Sequence, residues 1–301
     1  MPSSTTTYDS PWKEALERFF PAFMELLFPE VHRDIDWSEG FEFLDKELQR
    51  VVRDAQLGTR LADKLIKLRR RTGDETWVLV HVEVQGQVDP ELPLRMYVYN
   101  YRIFDRYRKP VASLAVLGDE RCDWRPSRFG YGFWGCRVHL DFLVCKILDW
   151  EARWAELERS ANPFAVILMA HLKALRTRKD PENRLYWKIQ VAKSLYRRGF
   201  MREEILELLR LIDWLLALPE ELERVFTREI ICHEEEIHMP YVMSAERLGR
   251  EDGREEGRAA LLEVARAQFG ESVANELLAI EDLDSLRDRV LELLARDRSS
   301  G

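Results

Sequence analysis

The residues Thr76-Trp-Val-Leu-Val-His-Val-Glu-Val-Gln85 form a β-branched run of the kind found in strands. Leu61-Ala-Asp-Lys-Leu-Ile-Lys-Leu68 also indicates a strand, and Arg71-Thr-Gly-Asp-Glu75, between the two, has the composition of a turn. Together these segments predict a β-hairpin. Side chains alternate along a strand, so four valines share one side of the second strand and are expected to face a core.

On both sides of this hairpin, apolar residues recur with the spacing of helices or of strands. The predicted elements, in chain order, are a helix starting at Ser10-Pro11 and broken near Pro21, a helix over 41–51, the hairpin, a helix over 91–108, a buried strand over 110–117 and a strand over 137–148. Residues 31–37 are the candidate for one further strand. This order predicts an α/β core with a mixed sheet flanked by helices.

The pattern of apolar and charged residues differs among three stretches, which predicts that the chain has three parts. Residues 1–150 contain the α/β core, and residues 151–245 are an all-helical extension with helices near 164–175, 185–197 and 201–218. Residues 246–301 form a charged helical tail. Its amphipathic segments are too short to be stable alone, so the tail is expected to pack on the extension or to form a homo-oligomer.

Composition limits the classes of function. The chain has 301 residues and a net charge of −8, which excludes a generally basic nucleic-acid coat but allows a local basic patch. Four cysteines without a C-x-x-C pair predict free thiols in a reducing compartment. The first residues show no signal-peptide pattern, and the longest apolar run, 164–170, is far shorter than the roughly 20 residues of a membrane helix. We therefore expect a cytoplasmic protein without a membrane partner.

Polar residues at the ends of the predicted hairpin form a candidate metal site. Glu83 and Gln85 lie at the end of the second strand, and antiparallel pairing is expected to bring Asp63, near the start of the first strand, beside them. Two converging carboxylates are costly unless a cation joins them, and Mg²⁺ prefers oxygen ligands. The alternative is that these side chains are ordinary solvated residues at strand ends.

The same residues resemble the active-site pattern of the PD-(D/E)XK phosphodiesterases, and in particular the recombination-promoting nuclease (Rpn) family, also called YhgA-like transposases. Ala62-Asp63 and Glu83-Val84-Gln85 are similar to that family's "Ala-Asp" and "Glu-x-Gln" motifs. Further similarity lies in Asp9 and Lys13 of the opening segment, in Asn162-Pro-Phe-Ala-Val166, in the segment 214–223 and in a short C-terminal domain around residues 267–270.

The resemblance implies a restriction-endonuclease-like fold, with three strands before its central helix, and metal-dependent cleavage of DNA. Asp63 and Glu83 would bind Mg²⁺ or Mn²⁺ with help from the carbonyl of Val84. Gln85 would occupy the position where the superfamily more often has Lys, and would orient water or phosphate by hydrogen bonds.

A cluster of basic residues next to Asp63 is a candidate for phosphate contacts. Its members expected to bind the DNA backbone are Lys64, Lys67, Arg69, Arg70 and Arg71. The alternative is a solvated strand face. Two further segments are interpreted as structural: residues 232–238, with two histidines, as a polar helix face, and residues 121–134, rich in aromatic residues, as a packed loop.

These observations predict a cytoplasmic bacterial protein that acts as a metal-dependent endonuclease or transposase-like phosphodiester hydrolase on DNA. Two alternatives remain open. The chain could be a catalytically inactive nuclease fold that serves as a DNA-binding or protein-interaction module, or a helical adaptor that uses its α/β part as a scaffold.

Overall fold

The computed structural model describes residues 9–46, 48–49, 64–73, 75–83 and 89–238, together with residues 262, 277 and 289. The chain divides into two compact units, residues 1–230 and 231–301. The predicted boundary near residue 150 lies inside the first unit, and the division into three parts stays a prediction. In the described ranges no helix is long and apolar enough to cross a membrane.

The described part of the chain is a mixed α/β fold. Its α/β elements are α1 (Asp9–Leu27), α2 (Pro29–Asp34), a 3₁₀ turn (Trp37–Glu39), β1 (Phe41–Phe43), β2 (Lys64–Arg69), β3 (Glu75–Glu83), α3 (Leu92–Tyr107), β4 (Val111–Leu117), β5 (Arg128–Phe133), β6 (Cys136–Asp141) and β7 (Leu143–Lys146). After a 3₁₀ turn (Ile147–Glu151) follow α4 (Trp154–Arg159), α5 (Pro163–Arg176), α6 (Pro181–Leu195), α7 (Arg202–Leu215) and α8 (Glu220–Glu236).

The main sheet has the strand order β1-β2-β3-β4-β7. The predicted hairpin is confirmed, with β2 antiparallel to β3 and Lys64 opposite Val80. Strand β4 is parallel to β3 and β7 is parallel to β4. A parallel neighbour requires a crossover connection, and α3 provides it between β3 and β4. The predicted helix over 91–108 and the buried strand over 110–117 are therefore confirmed, as is the mixed sheet.

Three sequence-based assignments were wrong. Residues 31–37 are not a strand, since α2 covers their first half and a 3₁₀ turn follows. The additional strand is β1, at the start of the segment predicted as a helix, where Phe41 and Phe43 alternate on one face and both contact Phe20 of α1. The segment 137–148 forms two strands, because β6 pairs with β5 in a separate two-stranded sheet while β7 joins the main sheet.

Helix α1 connects the α/β part to the helices that follow it. The helix kinks at Phe19 (φ −124°, ψ 33°), two residues before Pro21, which lacks an N–H and so interrupts the helical hydrogen bonds as predicted. The rings of Trp12 and Phe23 lie 5.4 and 5.1 Å from that of Phe164 in α5. The first and last parts of the unit therefore share one core.

The helices after residue 150 also enclose a charge. The side chain of Lys188 on α6 is fully buried, and its ammonium lies 3.0 Å from a carboxylate oxygen of Asp213 and 2.6 Å from one of Glu223. Burying a charge is costly unless oppositely charged groups accompany it. The pairs with α7 and α8 meet this condition, so Lys188 holds three helices together.

Candidate functional site

The carboxyl ends of the parallel strands meet at one edge of the main sheet. Glu83, the last residue of β3, is the register partner of Leu117 at the end of β4, and Leu117 is the partner of Lys146 at the end of β7. Because β2 is antiparallel to β3, its first residue, Lys64, also lies toward this edge. Ligands of open α/β sheets bind at the carboxyl edge of the strands, so this edge is the candidate site.

The structure places one of the three predicted catalytic residues. Glu83 ends β3, as expected from the alternation. Asp63 directly precedes β2, and Gln85 follows β3 by two residues, but Asp63, Val84 and Gln85 lie outside the described residues. Among the described residues no three His, Cys, Asp or Glu side chains are grouped to hold a metal ion. The convergence of Asp63, Glu83 and Gln85 on a cation stays a prediction.

Lys64 has a different environment from the one predicted for a phosphate contact. Its side chain has no exposed surface, and its ammonium binds the carboxylate of Glu17 on α1 and that of Asp45, the latter at 2.8 Å. The ring centroid of Phe43 lies 5.1 Å from the same ammonium. A fully enclosed ammonium does not reach a phosphate in solution, so in this structure Lys64 joins α1 to the start of β2.

The other predicted phosphate contacts lie on the surface. Their carboxylate partners are Glu42 for Lys67 at 2.7 Å, Glu39 for Arg69 at 3.7 Å and Asp34 for Arg70 at 2.6 Å. The side chain of Arg71 is exposed. Hydrogen bonds from the hydroxyl and the backbone N–H of Ser38 lower the pKa of Asp36, and the charge of Arg71 adds a smaller effect in the same direction. Exposed pairs contribute only about 0–1 kcal/mol, so a phosphate can replace these carboxylates at little cost. Their role in binding DNA stays a prediction.

A buried ion pair at the candidate edge was missed by the sequence analysis. Lys146 and Asp119 are almost inaccessible to water and bind each other. The ammonium of Lys146 also lies 5.5 Å from the ring centroid of Trp124. The pair fixes the turn after β4 beside the end of β7. The two residues are 27 positions apart, and neither lies in a recognisable motif.

A buried histidine supports the same turn. Trp12 Nε1 donates to Nδ1 of His171 at 3.3 Å, so in the neutral ring the proton is on Nε2, which lies 3.2 Å from the carbonyl oxygen of Gly118. Burial lowers the pKa of His171 to about 4, although the hydrogen bond to Gly118 acts in the opposite direction. His171 is therefore neutral near pH 7 and positions the end of β4 next to Glu83.

The aromatic segment predicted as a packed loop has another structure. Residues 128–141 form the hairpin of β5 and β6, and the side chains of Phe133 and Trp134 at its tip are 62% and 97% exposed. The glycines in this segment suit a loop as well as a hairpin, so the strand alternation of Phe129, Tyr131 and Phe133 was the signal that could have identified it.

Comparisons with known proteins give no match: neither the protein-family models, nor the curated proteins, nor the solved structures contain one that is similar to this chain. The functional conclusion therefore depends on the residues and the geometry described above.

Proposed function

We propose that this chain is a metal-dependent DNA endonuclease of the restriction-endonuclease-like type. The observation that carries the proposal is the order of elements around Glu83: a helix, three antiparallel strands, a crossover helix and a parallel strand. The resemblance to the PD-(D/E)XK proteins requires three strands before the central helix, and β1 supplies the strand that sequence patterns did not locate. Glu83 lies at the carboxyl end of β3, the third of these strands.

The proposed site has the donor chemistry of a hard divalent cation. Asp63 and Glu83 offer carboxylate oxygens, and Val84 adds a carbonyl oxygen, which suits Mg²⁺ or Mn²⁺. Bound there, the cation would polarise the scissile phosphate and lower the pKa of a water molecule. Gln85 is neutral and both donates and accepts hydrogen bonds, so it orients that water or the phosphate.

Cleavage of supercoiled plasmid in Mg²⁺ or Mn²⁺ tests the proposal. Wild type is expected to nick the plasmid, Asp63→Ala to lose nicking, and Gln85→Ala to lose about 10²-fold or more in rate because the nucleophile is no longer oriented. Gln85→Lys should retain or raise activity, since it adds a positive charge opposite the phosphate. Glu156→Gln, which removes an exposed carboxylate from α4, serves as the matched control. Equal nicking by wild type and Asp63→Ala would refute the proposal.

The second candidate is a catalytically inactive nuclease fold that binds DNA or protein. Two lysines at the candidate edge favour it, because Lys64 and Lys146 are both buried in ion pairs and so do not present a positive charge to a phosphate. Gln85, where the superfamily more often has Lys, adds no positive charge. DNA binding that survives Asp63→Ala, together with no nicking by wild type in either metal, would support this candidate.

A further inference from the structure

The turn of the β5–β6 hairpin carries a tryptophan in an unfavourable position. Trp134 and Gly135 form a two-residue turn, with φ values of 51° and 84°. Turns of this kind prefer Asn, Asp or Gly, because the left-handed conformation crowds other side chains. Trp134 is also 97% exposed, so it gains little from packing. Neither the backbone nor the core accounts for an indole at this position, which points to a ligand.

One face of the hairpin is an aromatic row. Phe129, Tyr131 and Phe133 alternate with glycines along β5 and therefore share a face. The first two contact Tyr97 of α3, with ring centroids 4.9 and 6.4 Å away. Phe133 continues the row to the tip, where its ring lies 5.6 Å from that of Trp134. The inner part of the row is anchored on the fold, and the outer part is open.

The opposite face carries two arginines, and one of them, Arg128, lies 3.4 Å from the carboxylate of Asp141 on the same face. Cross-strand partners share a face, so Gly132 lies beside Arg137 and Gly130 beside His139. A Cβ at Gly132 would lie 2.9 Å from the carbonyl oxygen of Cys136 and 3.1 Å from Cγ of Arg137, so the glycine makes room for the arginine. Arg137 is exposed and forms no ion pair within the described ranges. A shallow, open depression of ≈ 500 Å³ follows the hairpin.

We propose that this hairpin binds unpaired nucleotides, with bases stacked on Trp134 and Phe133 and the backbone phosphate bound by Arg137. Exposed aromatic rings at the tip and an unpaired guanidinium two residues after the turn, on the other face, are the elements that a single strand crossing the tip requires. Arg137 can offer its charge to a phosphate, whereas Arg128 already lies 3.4 Å from the carboxylate of Asp141. If the chain is the proposed nuclease, its substrate contains single-stranded DNA, and this part of the inference rests on the proposed function.

A second copy of the chain is the competing occupant, and the area at the tip argues against it. Two aromatic side chains bury about 150–250 Å² each. A stable interface needs about 800 Å² from each partner, which is well above what Phe133 and Trp134 provide. The binding of single bases needs no such area, because each ring stacks on one base.

Fluorescence anisotropy with a labelled oligo(dT) of about 20 nucleotides, in EDTA so that cleavage is absent, tests the inference. Wild type is expected to bind this strand more tightly than the same strand paired with oligo(dA). Trp134→Gly should weaken binding by about 5- to 150-fold, the range found when one stacking ring is removed. The melting temperature should stay the same or rise, because Gly favours the left-handed turn. Trp134→Asn, which also suits this turn, provides a second variant.

Tyr186→Ala is the matched control, since Tyr186 on α6 is a 54% exposed aromatic residue outside the hairpin and its loss should leave binding unchanged. Arg137→Gln should weaken binding and reduce the salt slope of the affinity by about 0.7, the contribution of one phosphate contact on a single strand. Undiminished binding by both Trp134 variants, or equal affinity for single and double strands, would overturn the inference.

Sedimentation tests whether a second copy of the chain occupies the tip. If wild type self-associates and Trp134→Gly abolishes that self-association, the tip binds a second copy and the inference is overturned. The outcome of plasmid nicking is independent of these results. If the strand binds through Trp134 but the plasmid is not nicked, the inference about the hairpin holds and the proposed nuclease activity is refuted. If the plasmid is nicked but Trp134 does not contribute to binding, the nuclease proposal holds and the inference about the hairpin is refuted.

Discussion

At the residue scale, Lys146 and Asp119 bind each other where neither is reached by water. Lys146→Met should lower the free energy of unfolding by about 3–5 kcal/mol, because it leaves the buried carboxylate without its partner. Lys146→Met combined with Asp119→Leu removes both charges and should recover much of that loss. Chemical denaturation gives the free energy of unfolding of wild type, the single variant and the double variant.

The exposed pair Arg224–Glu220 on α8 gives the matched control. Arg224→Met should cost less than about 1 kcal/mol, since surface pairs gain little from each other. If the double variant at Lys146 and Asp119 proved less stable than Lys146→Met, the account of the pair would be wrong.

The neutral state of His171 makes stability depend on pH. Its folded pKa of about 4 is lower than its usual value near 6.5, so the unfolded chain binds the proton more readily. The resulting stability is fully present above pH 6.5 and is lost as the pH falls from 6.5 toward 4, by about 3 kcal/mol in total.

His171→Gln isolates this contribution from that of the carboxylates. The variant should be less stable than wild type at pH 7 but should show a flatter decline between pH 6.5 and 4, measured as the free energy of unfolding at several pH values. Parallel pH profiles for the two chains would show that His171 is not the group responsible.

At the scale of elements, two glycines of β5 are expected to differ in their tolerance of a side chain. A Cβ at Gly132 would approach the carbonyl oxygen of Cys136 to 2.9 Å, whereas at Gly130 the nearest atom is 3.1 Å away. Gly132→Ala should therefore accelerate amide hydrogen exchange in the β5–β6 hairpin more than Gly130→Ala does. Global melting should change little, because this hairpin is a separate sheet. Equal exchange in both variants would contradict the argument.

The elements also show what the sequence could and could not predict. The β2–β3 hairpin and β4 were recognisable because β-branched and apolar runs dictate strands locally. Strand β1 was missed because Phe41 and Phe43 precede Leu44 and Leu48, so the apolar spacing of a short strand and of the helical turn after it merged into one helical pattern.

The candidate site was only partly predictable for a different reason. Glu83 at the end of β3 follows from alternation within one strand, which is local information. The partners of Lys64, by contrast, lie on α1 and at Asp45, and those of Lys146 and His171 depend on contacts across the fold. A basic run in a sequence does not reveal which members are enclosed with carboxylates, so Lys64 was assigned to phosphate binding.

At the scale of the whole molecule, metal should stabilise the fold if Asp63 and Glu83 share a cation. A ligand at ten times its Kd adds about 1.4 kcal/mol, or about 2 °C in melting temperature for a chain of 301 residues. Mg²⁺ or Mn²⁺ should therefore raise the melting temperature of wild type. The combined variant Asp63→Asn and Glu83→Gln should keep the fold and lose the rise, since both ligands become neutral amides.

Glu156→Gln should retain the full metal response, because its carboxylate belongs to an exposed pair on α4. An unchanged response in the double variant would place the cation elsewhere on the chain.

The lysines enclosed within the described residues offer a way to follow how the protein unfolds. An acylating reagent attacks an amine only when it can reach it, and the amines of Lys64, Lys146 and Lys188 are enclosed in the folded chain. They stand at the start of β2, at the end of β7 and on α6. Mass spectrometry of the labelled peptides at successive times would therefore give the rate at which each lysine becomes exposed. Equal rates would show that the sheet and the helices unfold together.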